Sequence, residues 1–215
     1  SNNNSISNNI ISSNEHDGID LYHSNNNSIS NNSISSNNYG IDLYDSNNNS
    51  ISNNIISSNK WDGIDLLYSN NNSISNNIIS SNEHDGIDLY HSNNNSISNN
   101  SISSNNYGID LYHSNNNIIY LNNFINNTVD QVYSYDSTNI WNSKEQMTYT
   151  YEGRTYTNYL GNYWSDYTGS DTDEDGIGDT PYIIGGDKDY YPLMERFENY
   201  FVLPTQYGVC VCVPS

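Results

Sequence analysis

The chain repeats itself. SNNNSISNNIISSNEHDGIDLYH (1–23) is followed by SNNNSISNNSISSNNYGIDLYD (24–45) and SNNNSISNNIISSNKWDGIDLLY (46–68). The first unit recurs unchanged at 69–91, and the second recurs at 92–113 with Asp45 replaced by His113. A degenerate sixth unit begins at SNNNIIYLNNFINN (114–127). A unit of 22 or 23 residues cannot bury its own apolar face, so its copies must stack.

Columns read across the copies separate core from surface. Ile6, Ile29, Ile51, Ile74 and Ile97 form one constant column, and Ile11, Ile34, Ile56, Ile79 and Ile102 a second. Ile19, Ile41, Ile64, Ile87 and Ile109 form a third, and Leu21, Leu43, Leu66, Leu89 and Leu111 a fourth. The position before the second column accepts Ile10, Ser33, Ile55, Ile78 or Ser101, so it faces outward. Spacings of 5, 8 and 2 between the constant positions fit no helical period, whereas GIDLY alternates as a strand does. Three short strands per unit predict an all-β chain, a right-handed parallel β-helix over 1–127 with rungs about 4.8 Å apart. The columns Asn9–Asn100 and Asn14–Asn105 are read as bends and amide ladders. The column from Gly18 to Gly108 is read as the remaining bend.

Composition tempers this reading only briefly. Apolar content of 33% and a net charge of −20 warn of disorder, but 21 Tyr and only 4 Pro argue against it. Lys+Arg of 5 against Asp+Glu of 25 exclude a nucleic-acid partner. No apolar run is long enough to span a bilayer. No leader is read at Ser1, so a mature or trimmed chain is expected.

In GIDLY the Ile and Leu point inward and the Asp and Tyr outward. Asp20, Asp42, Asp65, Asp88 and Asp110 then form a carboxylate column beside Tyr22, Tyr44, Tyr90 and Tyr112, interrupted by Leu67. At water-like dielectric, adjacent carboxylates repel by roughly 1 kcal/mol. The strip is either a ligand face for sugar, cations or a partner, or a solvated sheet face with aromatic β-formers. Copies this alike single out no catalytic constellation. Asn3, Asn26, Asn31, Asn48, Asn71, Asn94, Asn99 and Asn126 each open an N-x-[ST] sequon, although an Asn/Ser-rich repeat also produces that pattern by chance.

After residue 127 the repeat ends, and 128–201 reads as a capping segment. In SDTDEDGIGDTPY (170–182), Asp171, Asp173, Asp175 and Asp179 stand at alternate positions around Gly176, with the Ile177 carbonyl between them. That oxygen set suits a structural Ca²⁺, although Tyr182 replaces the last acid of an EF-hand loop. Asp166, Asp187 or Asp189 is a further candidate ligand. In the tail 202–215, VCVCV places Cys210 and Cys212 on one strand face, poorly set to bridge each other and free to pair between chains, to bind metal or to stay reduced.

The segment 141–201, with its strings LGNYWSDY and DGIGDTPY, resembles the C-terminal part of secreted NosD-like parallel β-helix proteins of methanogen-type archaea. The upstream units resemble the repeats of the same group. The resemblance implies a right-handed β-helix outside the cell or on its surface, among relatives of which some bind or act on carbohydrate. The founding type serves copper-site maturation, which is not carried over because no Met/His/Cys cluster supports it.

The expectation is an extracellular structural or adhesive β-solenoid that assembles end to end into a filament or surface layer. Its bare first rung and terminal CxC motivate that reading. The alternative is a carbohydrate-binding or carbohydrate-cleaving β-helix using the Asp and Tyr columns. A passive spacer is the third reading.

Overall fold

The computed structural model describes residues 1–201, so the tail with Cys210 and Cys212 lies outside the described residues. Each repeat folds into three short strands, and each strand pairs in parallel with its copy in the next rung. The third rung shows the plan, with strands Ser50–Ser52, Ile55–Ser57 and Ile64–Leu67. Stacking yields a first sheet of six strands, a second of seven and a third of six, wound as a right-handed parallel β-helix. The register is Ile51↔Ile74, Ile56↔Ile79 and Leu66↔Leu89, as the constant columns require. From Ile29 to Leu111 those Ile and Leu side chains are fully buried in one continuous core. The variable position before the second column is outward, with Ile10 85%, Ile55 51% and Ile78 49% exposed.

Corners and ladders are made by neighbouring residues rather than by the same Asn. Residues such as Asn48, Asn53, Ser58 and Tyr68 take φ of 59°, 57°, 56° and 52°. Asn is among the few residues that adopt this left-handed conformation cheaply. The Asn that follows the corner turns inward instead. The Asn77 N–H and Nδ2 both donate to Asn100 Oδ1 at 2.9 and 3.0 Å, and Nδ2 also reaches the Ile51 carbonyl at 2.9 Å. The same pattern links Asn9 through Asn122, and Asn14 through Asn127. A third such ladder, from Asn4 to Asn139, escaped the sequence reading, as did the serine column Ser24–Ser46–Ser69–Ser92–Ser114. Each ladder satisfies buried amides that the tight corners leave without a strand partner.

The glycine column lies in the bend, Gly18, Gly40, Gly63 and Gly86 each standing at a bend just before a third-sheet strand, but none of these glycines has positive φ. Its reason is space: a Cβ on Gly63 would lie 2.5 Å from Ile79 Cγ2 and 2.6 Å from the Gly86 carbonyl.

The solenoid continues past residue 127. Asp130–Tyr135 completes the sixth rung on the third sheet, Ile140 bridges Ile118, and Tyr163–Trp164 adds a last strand to the second sheet. Two antiparallel hairpins then fold over the end, Met147–Tyr151 with Arg154–Asn158 and Tyr182–Ile184 with Asp187–Asp189. A ring pile closes the core, with Phe124 and Trp164 stacked at 4.5 Å and Trp164 and Tyr182 at 4.3 Å. No helix of the described residues is long and apolar enough to cross a membrane.

Candidate ligand face

The third sheet carries the most distinctive side-chain array. Because Ile and Leu of GIDLY fill the core, the intervening Asp projects to the other side. Asp20, Asp42, Asp65, Asp88 and Asp110 pair in register along five rungs, and Tyr133 ends the column. Asp20 is exposed, and the other four are half-buried.

Aromatic columns wall the carboxylates on both sides. Tyr22 and Tyr44 stack at 5.2 Å, Tyr90 and Tyr112 at 5.2 Å, and Tyr112 and Tyr135 at 5.1 Å. Where Leu67 breaks this wall, Tyr68 leans across the gap, edge-on to Tyr44 and Tyr90 at 6.1 and 5.9 Å. Opposite, Tyr39, Trp61 and His84 follow one another at 6.4 and 4.5 Å, and Tyr107 meets Tyr133 at 5.5 Å. The sequence placed the Asp and Tyr columns; Tyr133 and Tyr135, which extend both walls, lie beyond the regular repeat that revealed them.

Burial and crowding reshape the acidity of this floor. Burial first, then Asp17 and Asp20, push Asp42 up to about 6. Burial and the carboxylates of Asp42, Asp62 and Asp17 push Asp65 up to about 8. Asp88, buried between Asp65 and Asp110, rises to about 9, and Asp110 to about 7. Asp65 and Asp88 thus hold carboxyl protons at neutral pH, where ordinary aspartates are ionised, while Asp42 is raised too little to do so. Tyr39 is raised to about 12 by burial and by Asp65, Asp62, Asp42 and Asp17, which places it against the floor. A second acidic column was not singled out from the sequence: Asp17, Asp62 and Asp85 accept from the N–H groups of Tyr39, Asp85 and Tyr107 at 3.2, 2.7 and 3.0 Å. Burial raises Asp62 to about 6 and moves Asp85 upward as well. Asp110 Oδ1 is buried with no hydrogen-bond partner.

The Asp-rich loop gathers only part of its predicted set. Asp171, Asp173 and Asp175 bring ligand oxygens within 4.8 Å of one another. Asp171 accepts from the N–H groups of Asp175 and Gly176 at 3.2 and 2.8 Å. Asp179 departs from the expected set: Thr172 N–H and Ser170 Oγ donate to Asp179 Oδ2 at 3.0 and 3.2 Å, and Thr172 Oγ1 does so at 2.6 Å, which lowers its pKa. Buried Ile177 bridges Leu193 and packs in the cap's own apolar cluster. Asp166 accepts from Tyr182 Oη, and Asp187 and Asp189 are engaged at the ends of the Asn ladders. The eight sequon residues Asn3, Asn26, Asn31, Asn48, Asn71, Asn94, Asn99 and Asn126 all occupy left-handed corners with φ between 49° and 59°. All are exposed except half-buried Asn99.

The family described as "Periplasmic copper-binding protein (NosD)" matches residues 1–169. The chain belongs to the NosD family. Among solved structures, this NosD-family chain is 30% identical to a mutant of the periplasmic alginate epimerase AlgG, with a TM-score of 0.58 over 61% of this chain and 32% of that one. To AlgG itself the figures are 29% and 0.50, over 54% and 30%. The chain therefore spans about a third of the epimerase's length. No curated protein sequence matches it. Copper does not fit the residues described for this NosD member. His23 and His113 hold Asp45 and Asp136 through Nδ1 at 2.7 and 2.8 Å. Among the described residues the one three-ligand group is Asp171, Asp173 and Asp175, hard oxygen donors suited to Ca²⁺ or Mg²⁺ rather than copper.

Proposed function

We propose that this NosD-family chain is a carbohydrate-binding β-helix of the cell exterior or envelope, with the third sheet as its face. One observation carries the reading: a carboxyl column between two aromatic walls, repeated at each rung of the solenoid. Aromatic faces stack on the C–H faces of pyranose rings, and carboxyl groups bond their hydroxyls. A repeated array of both suits a repeated polymer. The likeness to a periplasmic alginate epimerase supports the substrate class and the location. A glycan array followed by titration calorimetry tests it. Wild-type chain binds one or more polysaccharides, and Tyr90→Ala with Tyr112→Ala weakens binding at least tenfold while the fold persists. Unchanged binding in that double variant overturns the face. Turnover that disappears in Asp65→Asn moves the reading from binding to cleavage.

A structural or adhesive solenoid that self-associates is the second reading, favoured by the exposed isoleucines of the second sheet. Sedimentation at high protein concentration distinguishes the two. The proposal includes a structural Ca²⁺ held by Asp171, Asp173 and Asp175, read out as a raised thermal midpoint on adding Ca²⁺. It also includes glycans on the exposed sequon corners, read out by mass.

A further inference from the structure

We propose that the third-sheet face selects a cationic amino polysaccharide, its ammonium groups seated on the carboxyl column between the aromatic walls. This rests on the carbohydrate reading and narrows it to one chemistry. The first argument is charge. No Lys or Arg lies on any strand of the third sheet, and four of the five in the chain, Lys144, Arg154, Lys188 and Arg196, belong to the C-terminal segment. A polyuronate laid along this face would meet carboxyl groups at every rung and a single cation, Lys60, to answer them.

The fifth cation supplies the second argument. Lys60 Nζ stands 5.9 Å from the centroid of the Trp61 ring, so the chain's own ammonium already occupies the wall in the manner of a cation–π contact. Trp61 is 37% exposed and open to a further cation from solvent. A polymer of 2-amino sugars carries one ammonium per ring, and the face presents one carboxyl per rung.

Seating an ammonium on a protonated carboxyl releases its proton. The O–H bond of the carboxyl breaks, the proton goes to buffer, and a carboxylate–ammonium pair remains. The charged and titratable groups around the column are Asp20 on its own sheet, Asp17, Asp62 and Asp85 at the corner, the Tyr39, His84 and Tyr107 side chains of the wall, and Lys60 beside Trp61. The carboxyl groups outnumber the one ammonium among them, so the face favours cation uptake.

Calorimetry on the full chain at pH 6, in two buffers of different ionisation enthalpy, tests this. The probes are a glucosamine hexamer, an N-acetylglucosamine hexamer and a guluronate hexamer. The expected result is at least tenfold tighter binding of the glucosamine hexamer, with net proton release. Asp65→Asn with Asp88→Asn abolishes the preference without lowering the thermal midpoint, because both groups are already neutral in the free protein. Equal binding of the acetylated hexamer, or preference for guluronate, overturns the inference and leaves the carbohydrate reading standing. Failure of every sugar overturns both. A lysine hexapeptide binding as tightly as the glucosamine hexamer also overturns it, in favour of a basic polypeptide partner.

Discussion

The regular rungs and the C-terminal segment are two ways of building the same solenoid. In residues 1–127 a side chain's role is set by its column, so Asn54, Asn77 and Asn100 are interchangeable parts. In residues 137–201 most roles are played once, although Ser137, Asn139 and Asn162 still continue the columns. The two meet where the ladders end. Each ladder Asn donates toward the C-terminus, so the last one needs a group that accepts and does not donate, and an ionised carboxylate is such a group. Asn139 N–H donates to Asp187 Oδ2 at 2.7 Å, and Asn162 N–H to Asp189 Oδ2 at 2.8 Å. Asn127 Nδ2 ends instead on Gln131 Oε1 at 2.9 Å. The difference teaches that a repeat can pass an unsatisfied polarity along its length but cannot discharge it, which is the task of single-copy residues.

Asp189 is the sharpest break point. It is fully buried and accepts from the N–H groups of Asn162 and Tyr191 and from Trp164 Nε1, at 2.8, 2.9 and 3.0 Å. Burial raises it to about 7 against those bonds. Asp189→Ala strands at least three donors and should cost about 3–5 kcal/mol. Asn77→Ala, in mid-ladder, leaves fewer groups unpaired and should cost about 1–3 kcal/mol. Denaturant unfolding of both variants checks the ranking, and equal losses would remove the special status of the ladder end.

This division explains what the sequence made legible. Constant Ile and Leu columns reveal the core because burial tolerates no exchange, while the Ile/Ser alternation at 10, 33, 55, 78 and 101 reveals the outside. The third Asn ladder was hidden because Asn2, Asn3 and Asn4 are equally constant, and only the backbone decides which is corner and which is ladder. The glycine column marked the bend but not its cause, because close approach and left-handed backbone leave the same mark in sequence. Asp187 and Asp189 looked like calcium ligands because nothing local tells an acid that ends a ladder from one that binds a cation.

The acidic column and Asp179 of the acidic loop should respond oppositely to pH. Unfolded, Asp42, Asp65, Asp88 and Asp110 ionise near 4, whereas folded they do so between about 6 and 9. The folded state binds more protons across that window, so stability is greatest below about 4 and falls as pH rises through 6 to 9. Partial exposure limits the loss to the order of 3 kcal/mol, or roughly 6–12 °C in thermal midpoint. Asp179, lowered by Thr172 and Ser170, contributes in the other direction and weakens in acid. Thermal midpoints from pH 4 to pH 9 should therefore decline, and Asp88→Asn should flatten the curve. A midpoint that rises with pH would contradict the protonated column.

The smallest effect is expected where the sequence itself has already run the experiment. Ile55 and Ile78 share a column with Ser33 and Ser101, pair with them in register and remain about half exposed. Replacing both by Ser deletes side chains that the core never contacts, so stability should change by no more than about 0.5 kcal/mol. The pair nonetheless discriminates between the two functional readings. If copies associate through this apolar column, sedimentation of Ile55→Ser with Ile78→Ser shows the association lost and the monomer unharmed. If the third sheet alone meets the ligand, the same variant binds polysaccharide as the wild type does. The stability measurement has to come first, because only a silent change in folding lets either result be read as a property of the surface.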